Sequence, residues 1–303
     1  MRVGVLLGGW SAEREVSLVS GKSVVQGLIE MGYTPIEIDP DSNPKVFIDQ
    51  VLSAHVDIVF NALHGKYGED GRLVAILDLL KIPYTHSGVL ASSVAMDKVV
   101  AKKVFQGLGI DVPEGHVYSA EDIQKHHVIP VPYVVKPLSE GSSVGVSLIQ
   151  SDDDLKNWVH NPLHGTHYLV EEYIPGREVH VGVINGKAIG AIELKSHNNF
   201  YDYQAKYVPG YCDHIMPAKI SQEIESYLLD HTEKVFHALK CRGISRADWR
   251  YDDTKPTPRL VLLEINTHPG FTPLSTTPEI AAHYGISFNA IIQLLLDGAR
   301  YDY

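Results

Sequence analysis

The chain has 303 residues, more than one typical core and enough for two or three packed subdomains. Its formal net charge of -11 repels nucleic-acid phosphates and anionic lipid, so neither is an expected partner. Two cysteines without CxxC spacing argue against a disulfide framework or zinc knuckle. With no long apolar run and no signal-peptide pattern, they predict a cytoplasmic protein that does not enter a membrane.

In chain order, residues 2–7 read as a buried strand and Gly8-Gly9 as a turn. Residues 13–31 read as a helix, from the spacing of Val16, Val19, Val24, Leu28 and Ile29 and the stop at Gly32. Strands at 34–39 and 56–60, a helix near 71–81 and a short strand at 82–84 continue the alternation of a parallel sheet with helices on both faces. A helix over 97–107 follows. Segments 114–118, 132–136, 144–149 and 168–174 then suggest a mixed or antiparallel sheet around the turn Glu140-Gly141-Ser142-Ser143. Strands at 179–184 and 187–194 lead to a polar, aromatic loop over 195–217. A helix at 221–240, strands at 245–251 and 259–266 and a helix near 286–298 complete an α/β (α+β overall) chain.

Residues 260–266 (LVLLEIN) form an apolar strand carrying Glu264 and Asn266, which share one face because strand side chains alternate. The strand 245–251 can place Asp248 beside them, with Arg246 on the same face. Two carboxylates and an amide are hard oxygen ligands of the kind Mg²⁺ takes when it also binds phosphate. Taken alone, they equally suit polar strand ends satisfied by backbone. The turn Thr267-His268-Pro269-Gly270-Phe271-Thr272 can return backbone N–H groups to the same place, as an oxyanion site requires. Lys136 ends a strand before a loop of small residues, a phosphate-cradle pattern that a surface hairpin would also give. Lys98, at a helix start, has solvation as its plain explanation.

Two nucleotide motifs fail. Gly21-Lys22-Ser23 resembles a P-loop end but lies inside a predicted helix, with Val16 where a glycine is needed. Asp39 ends the second strand as in a dinucleotide fold, yet Trp10 and Glu13 occupy the ground a pyrophosphate needs. The loop 195–217 is long for a plain connector. With Lys206, Tyr207 and three further tyrosines it reads as a lid that excludes water.

Six motifs then occur in order: Gly8-Gly9 with Ser11-Ala12-Glu13-Arg14-Glu15-Val16-Ser17; His64-Gly65-Lys66-Tyr67-Gly68-Glu69-Asp70-Gly71; Ser87-Gly88-Val89-Leu90-Ala91-Ser92 with Met96-Asp97-Lys98; Val135-Lys136-Pro137 with Glu140-Gly141-Ser142-Ser143-Val144-Gly145; Phe200-Tyr201-Asp202-Tyr203 with Ala205-Lys206-Tyr207; and Glu264-Ile265-Asn266-Thr267 with Pro269-Gly270-Phe271-Thr272. Over nearly its whole length the chain resembles the D-alanine–D-alanine ligases of the ATP-grasp superfamily.

That resemblance implies an ATP-grasp fold with an N-terminal Rossmann-like subdomain over 1–87, a central subdomain over 88–175 and a C-terminal one over 176–303. It implies ATP and D-alanine as substrates, Mg²⁺ or Mn²⁺ (two ions per site) on Asp248, Glu264 and Asn266, and a homodimer. The product is D-alanyl-D-alanine for peptidoglycan, formed through an acyl phosphate. Lys98, Lys136, Ser143 and Lys206 would meet the phosphates. Glu171 would hold the adenine amine and Glu178 the ribose, with Tyr173, Ile174 and Leu263 against the ring. Glu13 would pair with the first substrate's ammonium and His64 would lie near its carboxylate. Arg246 and the Gly270 N–H would face the oxyanion, and Ser275 the second carboxylate. Ser142, Tyr207 and Glu13 would close the site, and Tyr207 favours an amine over D-lactate as second substrate. His268, Thr276 and Glu172 depart from the family pattern, His268 as a possible added charge. Glycine spacing weighs against a nicotinamide-dependent oxidoreductase. The retained Asp248, Glu264, Asn266, Arg246 and lysines weigh against a non-catalytic relative.

Overall fold

The computed structural model describes residues 1–142, 144–158, 160–161, 165–197 and 210–302. Its first sheet is parallel. β1 (Arg2–Leu6) lies between β2 (Thr34–Ile38) and β3 (Ile58–Asn61). The helices α1 (Arg14–Glu30), α2 (Pro44–Ser53) and α3 (Arg72–Leu80) provide its crossovers and cover. Val3, Val5, Phe60 and Ile58 bury one face with Val24 and Leu28 of α1, while Leu6, Val59, Phe47, Val51 and Leu77 form a second cluster. Strand burial on both faces is what a crossover sheet demands, and it explains the unbroken apolar run at the N-terminus. The expected short strand at 82–84 reduces to one residue, Tyr84, which forms two isolated bridges, to Val59 and to Arg300.

Helices α4 (Val89–Met96) and α5 (Lys98–Gly107) follow, separated by Asp97, whose carboxylate accepts from the Val99 and Val100 N–H groups. The second sheet is wholly antiparallel, in the order β4 (Gly115–Ser119), β7 (His167–Glu172), β5 (Tyr133–Pro137), β6 (Ser147–Ile149). Short helices α6 (Ala120–Lys125) and α7 (Asp152–Asn157) accompany it, each capped by a serine.

The third sheet is also antiparallel: β10 (Cys212–Ile215), β9 (Lys187–Ser196), β8 (Arg177–Ile184), β11 (Ile244–Asp252), β12 (Arg259–Asn266). β10 falls inside the segment expected to be loop and pairs with β9 from Cys212 opposite Ser196 to Ile215 opposite Glu193. Helix α8 (Gln222–Ala238) packs on this sheet through Leu228, Val235 and Phe236. Helices α9 (Thr276–His283) and α10 (Phe288–Asp297) close the chain, α10 returning to α1. Among the described residues no helix is long and apolar enough to cross a membrane.

Candidate active site

Two clefts meet along β12. The first, about 730 Å³, has apolar walls from Val134, Val146, Tyr173, Ile174 and Leu263 and polar groups from Lys136, Glu171 and Glu178. The second, about 610 Å³, is lined by His64, Glu69, Ser142, Arg246, Asn266, His268 and Gly270. Lys98, Glu140 and Glu264 belong to both. A cleft with apolar walls suits a heteroaromatic ring, and a polar one suits a small zwitterion.

The strand register builds the junction. Asp248 stands opposite Glu264, and Arg246 opposite Asn266, before the bulge after Asp248. Arg246 Nε and Nη2 donate to the two Asp248 oxygens at 2.6 and 2.8 Å. Arg246 therefore serves a carboxylate as well as lining the second cleft, where it was expected only to face an oxyanion. His180 Nε2 lies 3.6 Å from Asp248 Oδ1 and 3.2 Å from Glu178 Oε1. Lys98 Nζ donates to the Glu140 carbonyl at 2.6 Å and sits 3.8 Å from Glu264 Oε2, which ties the glycine-serine turn to the carboxylates. The Asn266 side-chain oxygen accepts from the His268 N–H at 2.7 Å.

In the first cleft Glu171 lies where it was expected, and it also meets two lysines. Its carboxylate is buried, with Lys136 on Oε1 and Lys102 Nζ 2.7 Å from Oε2. It was expected to accept from an adenine amine; each oxygen also carries one ammonium contact, which leaves lone pairs on both. Burial alone would push Glu171 up, but Lys136 and Lys102 outweigh it and hold the carboxyl below its usual range. Arg250, absent from the expected set, clamps the turn after β7. It donates to the Ile174 carbonyl at 3.0 Å, the Gly176 carbonyl at 2.9 Å and Glu178 Oε2 at 3.2 Å. Its signal was available, since Arg250 is two residues beyond Asp248 on β11 and shares its face.

In the second cleft His64 is fixed at both nitrogens, 2.9 Å from Ser20 Oγ and 3.1 Å from Glu69 Oε1. Glu13 and Ser275 stand behind the wall rather than in it. A Cβ on Gly141 would be 3.2 Å from Glu13 Oε2, and one on Gly270 would be 3.0 Å from Ser275 Oγ. Glycine at these two places is what lets the chain pass so close to both side chains. Ser275 Oγ accepts from the Thr272 N–H at 3.0 Å. His268 adds no charge. Burial, with His86 and His64 close by, drives its pKa well below the ordinary histidine value, and its ring stacks on His86 at 4.1 Å. Ser143, Lys206 and Tyr207 lie outside the described residues.

The D-ala D-ala ligase C-terminus family model matches residues 104–297, and the N-terminus model residues 41–87. The chain belongs to the D-alanine–D-alanine ligase family. A D-alanine–D-alanine ligase of Wolbachia pipientis wMel is 47% identical over 300 residues, 97% of this chain and 93% of that protein. One of Paramagnetospirillum magneticum is 46% identical, covering 99% of each. Among solved structures, the Bacillus anthracis D-alanine–D-alanine ligase complexed with ATP matches with a TM-score of 0.80 at 27% identity, over 98% of this chain and 97% of that one. The VanG D-Ala:D-Ser ligase of Enterococcus faecalis matches with a TM-score of 0.79 at 28% identity, over 98% of each chain. The two antiparallel sheets behind the parallel one are thus the ATP-grasp arrangement of this ligase family.

For a divalent ion, the donor chemistry of the ligase site is suitable. Among the described residues no three His, Cys, Asp or Glu side chains gather into an all-protein cage. Asp248, Glu264 and the Asn266 amide are instead an incomplete oxygen set on adjacent strands, which fits an ion that takes its remaining ligands from phosphates.

Proposed function

We propose that this protein joins two D-alanines to D-alanyl-D-alanine with ATP, releasing ADP and phosphate, in the route to peptidoglycan. The observation that carries the reading is the junction of an apolar-walled cleft with a small polar cleft at Lys98 and Glu264. That is where a phosphate would be handed from nucleotide to amino acid.

The first D-alanine carboxylate attacks the γ-phosphorus, and the bond to ADP breaks. The amine of the second attacks the resulting acyl phosphate, loses its proton, and phosphate leaves. Adenine lies against Tyr173, Ile174 and Leu263, with the ribose on Glu178. Lys98 and Lys136, joined by Ser143 and Lys206, meet the phosphates. Glu13 takes the first ammonium, and His64, held rigid by Ser20 and Glu69, orients the carboxylate. Arg246 and the Gly270 N–H face the tetrahedral oxyanion, where fixed donors act most strongly. Ser275 takes the second carboxylate, and Ser142 and Tyr207 close the site. Mg²⁺ or Mn²⁺, as two ions, on Asp248, Glu264 and Asn266 would supply neutralisation of phosphate charge. The division into units at 1–87, 88–175 and 176–303, a homodimer and a cytoplasmic location complete the reading.

The test is phosphate release from ATP with D-alanine, with and without Mg²⁺, and with D-serine or D-lactate as second substrate. The expected result is metal-dependent release with D-alanine preferred. Release with L-alanine but not D-alanine would overturn the substrate assignment. Preference for D-serine would move the protein towards the chemistry in VanG's name.

A further inference from the structure

Lys102 is a buried cation that no step above uses. It follows Lys98 by one turn on α5, is 7% exposed, and finds its one ion-pair partner among the described residues in Glu171. Glu171 is 1% exposed and gives its other oxygen to Lys136, which reaches into the first cleft. A single Lys136–Glu171 pair would already be electrically satisfied. A second buried ammonium costs desolvation: burial, with Lys136 nearby, lowers the Lys102 pKa, and Glu171 offsets part of that. Its effect is to change the sum of the three groups from zero to +1, beside the cleft assigned to a triphosphate.

We propose that Lys102 is a positioning residue for the nucleotide: it neutralises Glu171, so that the Lys136 ammonium keeps its charge for a phosphate. The inference rests on reading the first cleft as the ATP site. Without Lys102, a phosphate would meet a neutral lysine–glutamate pair. Drawing Lys136 away from that pair would leave a bare carboxylate in the interior, which is strongly unfavourable.

The experiment measures dissociation constants of ATP and of adenosine by calorimetry, with Mg²⁺ present. It uses wild type, Lys102→Met and Lys102→Met/Glu171→Gln. The single variant should lose ATP affinity on the order of tenfold, the scale set by one phosphate-facing charge, and change adenosine affinity less than twofold. The double variant again carries a net +1 and should return to within threefold of wild type. A purely structural ion pair predicts otherwise: equal losses for ATP and adenosine, or a double variant no better than the single one. Either result, or unchanged ATP affinity in a folded Lys102→Met protein, overturns the proposal. If circular dichroism shows the single variant unfolded, the double variant decides: ATP affinity within threefold of wild type supports the inference and a larger loss overturns it. Wild type that fails to bind ATP would instead remove the nucleotide-site reading beneath it.

Discussion

Asp248 and Glu264 face one another across β11 and β12, an arrangement that like charges make unfavourable without cations nearby. Arg246 and Lys98 supply those cations here. Glu264→Gln keeps the shape of the side chain and removes one charge at a position that is about a third exposed. Turnover should fall on the order of 10²–10³-fold, the scale of losing one preorganised electrostatic group. The melting temperature should move by no more than about 2 °C, as expected for a partly exposed isosteric change. Near-normal turnover would take Glu264 out of the phosphate-facing set. This part of the site was legible because strand alternation alone aligns Glu264 with Asn266 and Arg246 with Asp248. Lys102 was not legible, since helix periodicity shows only that it shares a face with Lys98. The partner that gives it meaning is Glu171, on a strand remote in sequence. Glu171 itself was assigned to adenine by resemblance, and only the fold, with α5 seated against β12 and β5 paired with β7, reveals the two lysines that meet it.

At the level of elements, a motif that misleads can still be explained. Gly21 belongs to the triplet that imitates a P-loop, but it lies in the middle of α1, over the end of β1. A Cβ there would overlap the Cβ of Leu7 and stand 3.0 Å from its Cδ2. The glycine thus sets how closely helix and strand approach. Gly21→Ala improves helix propensity by about 1 kcal/mol, yet should destabilise the protein by about 1–3 kcal/mol, because the overlap falls on a Cβ that cannot rotate away. Urea unfolding measures it, and a stabilised variant would show that α1 can shift outward freely. Asp39, the other misleading residue, is also accounted for locally. It accepts from the Gly9 N–H at 2.8 Å and pairs with Arg14, so it fixes the first turn. The main strands and the helices α1, α3, α5, α8 and α10 were readable from periodicity. α2 was missed although Asn43 caps it and Pro44 opens it, a start signal that needs no periodicity. α9 was hidden by Pro278 in its first turn. β10 was hidden because a four-residue edge strand in a polar segment has almost no pattern of its own.

At the scale of the whole molecule, His86 ties the parallel sheet to the segments flanking the third sheet, and no motif marks it. Its carbonyl accepts from Arg242 Nε at 2.6 Å, and its ring stacks on His268 and meets Phe60 and Phe271 edge-on. Arg242 in turn reaches Asp302 at 2.8 Å and covers the Tyr84 ring. Burial, with His64 and Arg242 adding to it, pushes His86 from the ordinary 6.5 down to about 3. The native state therefore holds His86 neutral while the unfolded chain takes up a proton as pH falls through 6.5. Stability is full above that value and declines down to about pH 3, by about 1.4 kcal/mol per pH unit for one such group. His268 acts in the same direction. Glu171 contributes stability that is lost only below the ordinary carboxylate range, so the upper part of the acid limb belongs to the imidazoles. His86 has a φ of 72°, a conformation asparagine tolerates better than most residues. His86→Asn removes this proton linkage. The stability gap between wild type and variant, measured by urea unfolding, should therefore be about 1.4 kcal/mol smaller at pH 5.5 than at pH 7.5. An identical gap at both pH values would mean that the joint between the sheets does not set the acid limit of the fold.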